Sequence, residues 1–118
     1  MSKPEKDRPT ILVVEDDPDY SDFLAAVLSD HGFAPETVCD GAQAVERARS
    51  LNPQGITLDI LLPGQTGIAI YRSLRKDKRT RHIPVVIVTR VGTEGKKLTV
   101  ERFFAGRATP PPEGVLQK

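Results

Sequence analysis

The sequence has no tryptophan, a single cysteine and two histidines, and aromatic residues make up only 5% of it. One cysteine, Cys39, excludes an internal disulfide. With no histidine patterned beside it, Cys39 reads as a small apolar packing residue rather than a nucleophile. Neither His31 nor His82 stands at the end of an apolar run beside a nucleophile, which argues against a hydrolytic site and assigns both to the surface. No apolar stretch approaches the roughly 18 residues of a membrane span, and the polar start Met1-Ser2-Lys3-Pro4-Glu5-Lys6-Asp7 has no signal-peptide core. A cytoplasmic protein without membrane contact is the expectation.

An excess of either charge is also missing, since the net charge is only +1, but residues 1–71 carry −7 and residues 72–118 carry +8. The basic residues from Arg72 to Arg81 fall at the end of a predicted helix and in the turn after it. Cations suit the carbonyl end of a helix and a solvated rim, so direct nucleic-acid binding by this domain is not expected.

What is present is an alternation of strand-like and helix-like segments within 118 residues, a length that suits one domain with both faces of a small sheet covered. Thr10 to Glu15 reads as a first strand. Asp17 caps a helix with Pro18 in its first turn and Tyr20, Phe23, Leu24, Val27 and Leu28 at helical spacing, stopping at Gly32. Phe33 to Val38 is a short second strand, and Asp40 caps a helix with Ala44, Val45, Ala48 and Leu51 on one face, ended by Asn52-Pro53. Gly55 to Asp59 is a third strand.

Thr66 can cap a third helix with Ile68, Tyr71 and Leu74 facing inward. Ile83 to Thr89 is an uninterrupted β-branched run and reads as a central strand. Lys96 to Phe104 could form two helical turns, Pro110-Pro111-Pro112 must be extended, and Gly114 to Gln117 is a fifth strand. Right-handed crossovers then give an α/β, doubly wound, flavodoxin-like parallel sheet of five strands in the order 2-1-3-4-5.

Two apolar runs end in carboxylates: Ile11-Leu12-Val13-Val14 leads into Glu15-Asp16-Asp17, and Ile56-Thr57-Leu58 leads into Asp59. In an open α/β sheet the carboxyl ends of the strands form the ligand-binding edge. Strands one and three are neighbours in the assumed order, so Glu15, Asp16 and Asp59 would converge there and repel one another unless a hard divalent cation bound between them. The pattern predicts a site that handles metal and phosphate. A flavodoxin-like cofactor binder would instead need a hydroxyl- or glycine-rich phosphate loop after the first strand, where this chain has acids.

Three segments in this order and spacing, Ile11 to Pro18, Leu58 to Gly64 with Gly67, and Ile83 to Thr89, resemble the receiver domain of two-component response regulators over nearly the whole chain. The resemblance implies that Asp59 accepts a phosphoryl group from a histidine kinase or phosphotransfer protein. It makes Asp16 and Asp59 ligands of Mg²⁺, with Glu15 in support and the backbone carbonyl of Leu61 as a further ligand. It also makes Thr89 and Lys118 partners of the phosphoryl oxygens. Beside these implied roles, Thr89 also reads as a simple β-former and Lys118 as a solvated terminus. Such a domain switches partner binding, through a homodimer or a downstream effector, and catalyses at most its own phosphorylation and slow dephosphorylation.

The chain departs from that family in four places. Val115 stands where the family usually has an aromatic ring, Arg90 where a small residue normally follows the threonine, and the segment 90–113 is longer than usual. The family's last helix has no counterpart, which predicts uncovered apolar surface beside strands one and five. Residues 1–8 are read as a flexible arm and 1–118 as a single receiver domain truncated before that helix and any effector domain. These departures leave a second reading open, a pseudo-receiver whose interactions do not depend on phosphate. Arg90 either lies over the site or points to solvent.

Overall fold

The computed structural model describes residues 7–60, 62, 66–89 and 113–117. The expectations for Leu61, Arg90, Lys118, the greater part of the 1–8 arm and nearly all of segment 90–113 lie outside the described residues.

Five parallel strands, β1 (Thr10–Val14), β2 (Ala34–Val38), β3 (Gly55–Leu58), β4 (Val85–Thr89) and β5 (Gly114–Gln117), form one sheet in the order β2-β1-β3-β4-β5. Helices α1 (Pro18–Asp30), α2 (Ala44–Leu51) and α3 (Gly67–Lys76) are the described crossovers. The expected topology is therefore the observed one. The central strands are buried on both faces, as an all-parallel sheet requires. Leu12, Val14, Ile56, Leu58, Val85 and Ile87 join Ala44 and Ala48 of α2 and Ile70, Tyr71 and Leu74 of α3 in one buried cluster. Val13 and Val88, also buried, alternate to the opposite face, where the right-handed β1-to-β2 crossover carries α1.

The helix ends follow their local chemistry. Asp17 Oδ1 accepts from the backbone N–H groups of Asp19 and Tyr20, at 3.0 and 3.5 Å, ahead of Pro18 in the first turn. At the other end of α1, Gly32 adopts φ +88°, the Phe33 N–H donates to the Leu28 carbonyl and the Gly32 N–H to the Ser29 carbonyl. This is a Schellman closure, and it needs a residue that tolerates positive φ. Thr66 Oγ1 accepts from the Ala69 N–H at 3.2 Å and caps α3.

Some boundaries differ from the sequence expectation. Asp40 caps a 3₁₀ turn, Gly41–Gln43, and α2 begins only at Ala44. β4 begins at Val85 rather than Ile83, because its ladder with β3 starts at the Ile56 to Val85 pairing and Pro84 contributes only a carbonyl, which accepts from the Ile56 N–H. In α1 the apolar positions do not share one face. Ser21 is buried and Leu24 and Leu28 are half-buried, whereas Phe23 and Val27 are 57% and 37% exposed. On β5, Val115 and Leu116 are likewise exposed, at 44% and 55%. No helix among the described residues is long and apolar enough to cross a membrane.

Candidate functional site

The ladder continues past the formal ends of β1 and β3, and this brings the acids together. Glu15 N–H donates to the Val38 carbonyl at 3.0 Å and Asp59 N–H donates to the Val14 carbonyl at 3.1 Å. Glu15 and Asp59 are thus held as strand extensions, at 2% and 4% exposure, while Asp16 stands exposed at the next position. The three carboxylates each offer an oxygen within 4.8 Å of the others. That arrangement brings together on one edge three acids that lie 44 positions apart at their extremes. Asp17, by contrast, is the cap of α1, and its N–H donates to Glu15 Oε2 at 3.2 Å, which orients the glutamate.

Thr89 is the last residue of β4 and pairs in register with Gln117 of β5. Leu58 pairs with Ile87, so Thr89 lies two residues beyond that level, on the same carboxyl edge as Asp59. Val115 pairs with Ile87.

Gly67 belongs to the second of the matching segments, and its packing shows why a glycine stands there. Gly67, the first residue of α3, is buried against the turn after Asp59, and its N–H donates to the Ile60 carbonyl at 2.8 Å. A β-carbon at position 67 would approach the Asp59 carbonyl oxygen and stand 2.6 Å from Ile60 Cα, distances that backbone atoms do not accommodate. The absence of a side chain at Gly67 therefore lets α3 start directly beneath the acid.

Cys39 corrects its sequence reading. β2 ends at Val38, so Cys39 lies one residue past the core and is exposed. With Glu15, Asp16, Ser21, Asp22 and Thr37 it lines an open cavity of about 370 Å³ beside the acidic cluster. His31 and His82 are both exposed, as expected.

A second correction concerns the basic stretch at the end of α3 and in the turn after it. Lys76, Lys78, Arg79 and Arg81 are exposed, but the Arg75 side chain is only 8% exposed and is held by a network at the amino edge of the sheet. Asp77, at the end of α3, accepts from the Arg79 N–H at 2.8 Å and from Arg49 of α2. The backbone donor of Arg79, then the Arg49 guanidinium, hold its carboxyl below the usual carboxylate range.

Comparison with known proteins accords with this geometry. Residues 11–106 match the family model described as response regulator receiver domain. The chain is 42% identical over 82 residues to the DNA-binding response regulator MtrA of Mycolicibacterium smegmatis, covering 70% of this chain and 35% of that protein. It thus spans about a third of that relative's length. Among solved structures it superposes on a sensor protein from Polaromonas sp. at TM-score 0.79 and 34% identity, covering 94% of this chain and 84% of the other. It also superposes on the receiver domain of a sensor histidine kinase from Pseudomonas aeruginosa, which has a magnesium ion coordinated in its active-site cleft. There the TM-score is 0.78 and the identity 26%, covering 94% and 85% of the two chains. Sheet order, convergent acids and family match agree, and the chain belongs to the response regulator receiver domain family of two-component signalling.

Proposed function

We propose that this chain accepts a phosphoryl group on Asp59 with the help of Mg²⁺, and that the charge so gained changes which partners it binds. The observation that carries the reading is the convergence of Glu15, Asp16 and Asp59, with oxygens within 4.8 Å of one another, at the carboxyl edge of the sheet. Three acids at that spacing repel one another, and their hard oxygen donors suit a small divalent cation that takes one or two carboxylates and keeps several waters. Asp16 and Asp59 are the direct ligands in this reading and Glu15 supports them. The Leu61 carbonyl, outside the described residues, is a further ligand by resemblance. When bound, Mg²⁺ neutralises charge on the oxygens of the transferring phosphoryl group.

The remaining chemistry belongs to the chain. An Asp59 carboxylate oxygen forms the bond to phosphorus and yields an acyl phosphate. The bond from phosphorus to the donor's imidazole nitrogen breaks, and the donor leaves with the electron pair. The Val14 carbonyl, which accepts from the Asp59 N–H, and the close-packed Gly67 orient the Asp59 backbone. Thr89 donates its hydroxyl to a phosphoryl oxygen and Lys118 pairs with the phosphoryl charge. The donor is a sensor histidine kinase or a phosphotransfer protein, and a second copy or a downstream effector reads the result. No separate substrate is turned over, and the chain acts as a single cytoplasmic receiver unit.

A phosphate-independent interaction module is the second reading, and Val115 favours it. An exposed valine has no ring to turn inward beside Thr89, so a switch based on an aromatic rotamer is not available at that position. Incubation with Mg²⁺ and a small-molecule phosphodonor, followed by intact mass measurement, separates the two. The first reading requires one phosphoryl adduct on the wild type and none on Asp59→Asn; an unmodified wild type leaves the second.

A further inference from the structure

Far from the acids, at the amino edge of the sheet, Arg75 is held on every side. Its guanidinium lies over the Tyr71 ring at 4.8 Å, and its Nε donates to Tyr71 Oη at 3.0 Å. Nη1 donates to the carbonyls of Arg81 and Ile83 at 2.8 and 2.7 Å, which locks the turn between α3 and β4. Nη2 donates to both carboxylate oxygens of Glu113, at 2.9 and 3.1 Å. Burial pushes the Tyr71 phenol above its ordinary range, so it remains a neutral acceptor for this cation.

Glu113 is the residue immediately before β5, and it is bound to β4 as well. Its N–H donates to the Val85 carbonyl at 2.9 Å and its Oε2 accepts from the Val85 N–H at 3.1 Å. The glutamate therefore forms the first rung between β4 and β5, and Arg75 fixes that rung to α3.

β5 needs such a device. It has four residues, and its two large apolar side chains, Val115 and Leu116, are 44% and 55% exposed, so burial does little to choose between registers. Parallel ladder bonds recur every second residue, and register is weakly specified when no buried face selects it. A slip by two residues moves a strand by about 6.6 Å. With Glu113 clamped, Gly114 faces Val86 and Gln117 faces Thr89.

We propose that Arg75 and Glu113 are positioning residues. Their bidentate pair sets the register of β5 on β4, with Gln117 opposite Thr89 at the edge where Asp59 stands, and the phosphoryl-pairing role given to Lys118 in the reading above depends on that register. The consequence for chemistry rests on the phosphoacceptor reading above. The register itself does not, and the two are tested separately.

The first measurement is the cross-strand nuclear Overhauser pattern of the full chain. In Glu113→Ala the Thr89 to Gln117 contacts should weaken or shift, while the Val13 to Thr57 contacts between β1 and β3 persist and show that the fold is intact. Unchanged Thr89 to Gln117 contacts overturn the clamp. The second is the rate of phosphoryl uptake from a small-molecule phosphodonor at saturating Mg²⁺, for Glu113→Ala, Lys118→Ala and the double variant. Misplacing a catalytic group by an ångström costs up to about a hundredfold, so the Glu113→Ala rate should fall by about tenfold. If the clamp acts through Lys118, the double variant should be no slower than Lys118→Ala alone. Losses that multiply show that Glu113 acts elsewhere and overturn the positioning role. A wild type that takes up no phosphoryl group, with its register still dependent on Glu113, removes the Asp59 reading and the role of Lys118 together.

Discussion

Gly67 is packed so tightly beneath Asp59 that a β-carbon on it would stand 2.6 Å from Ile60 Cα and meet the Asp59 carbonyl oxygen. Both obstacles are backbone atoms of the turn that presents the acid, and they can yield only by moving the acid. Gly67→Ala should cost about 3 kcal/mol of stability, the upper end of ordinary overpacking. It should also weaken Mg²⁺ binding by displacing Asp59. Gly32→Ala is the control: its β-carbon would meet nothing within 4 Å, but φ is +88°. That variant should lose about 1 kcal/mol through backbone strain and keep Mg²⁺ affinity unchanged. Urea melts and metal titrations of both variants check the contrast.

Mg²⁺ should stabilise the folded chain, because the carboxylates proposed to hold it are assembled only in the native state. At an ion concentration about a hundred times the dissociation constant, the gain should be about 2.7 kcal/mol. Asp16→Asn should abolish most of it, and because Asp16 is exposed the variant should fold normally. Thermal melts in Mg²⁺ and in a chelator provide the comparison. An equal shift in wild type and Asp16→Asn would place the ion elsewhere.

Asp77 gives the acid side of the stability profile a defined sign. The Arg79 N–H and then the Arg49 guanidinium lower its carboxyl pKa in the folded state. A depressed folded pKa contributes stability above the ordinary aspartate value of about 3.9, and that contribution disappears as pH falls through the folded pKa. Wild type should therefore exceed Asp77→Asn in stability at pH 6, and the difference should shrink steadily below about pH 4. Denaturant midpoints measured across that range check both the sign and the window.

The parts of the fold governed by local pattern were readable from the sequence. Apolar β-branched runs at Ile11 to Val14 and Val85 to Val88, caps at Asp17 and Thr66, and a positive-φ stop at Gly32 each follow from residue type and spacing. The meeting of Glu15, Asp16 and Asp59 became readable once strand order was assumed, since parallel strands share a carboxyl edge. Contacts set by three-dimensional approach were not readable. Gly67 stands in one of the matching segments, but residue type alone does not say which backbone atoms lie above it, and Arg75 looks like its exposed neighbours Lys76 and Arg79 until Glu113 arrives from 38 residues away. Cys39 was misjudged because one residue of strand length decides between core and rim. In α1, helical spacing placed Phe23 with Leu24 and Leu28, but the sheet covers a narrower stripe than that spacing implies.

In the proposed reaction Asp59 is the acceptor, and the acidic cluster enables it through its ion. Borohydride reduces an acyl phosphate to the alcohol, so an aspartyl phosphate formed from a small-molecule donor becomes homoserine and is located by peptide mapping. Homoserine is expected at position 59 alone, formed in Mg²⁺ and absent in a chelator. Homoserine at Asp16 or Asp17, or conversion at Asp59 that is indifferent to Mg²⁺, would contradict it.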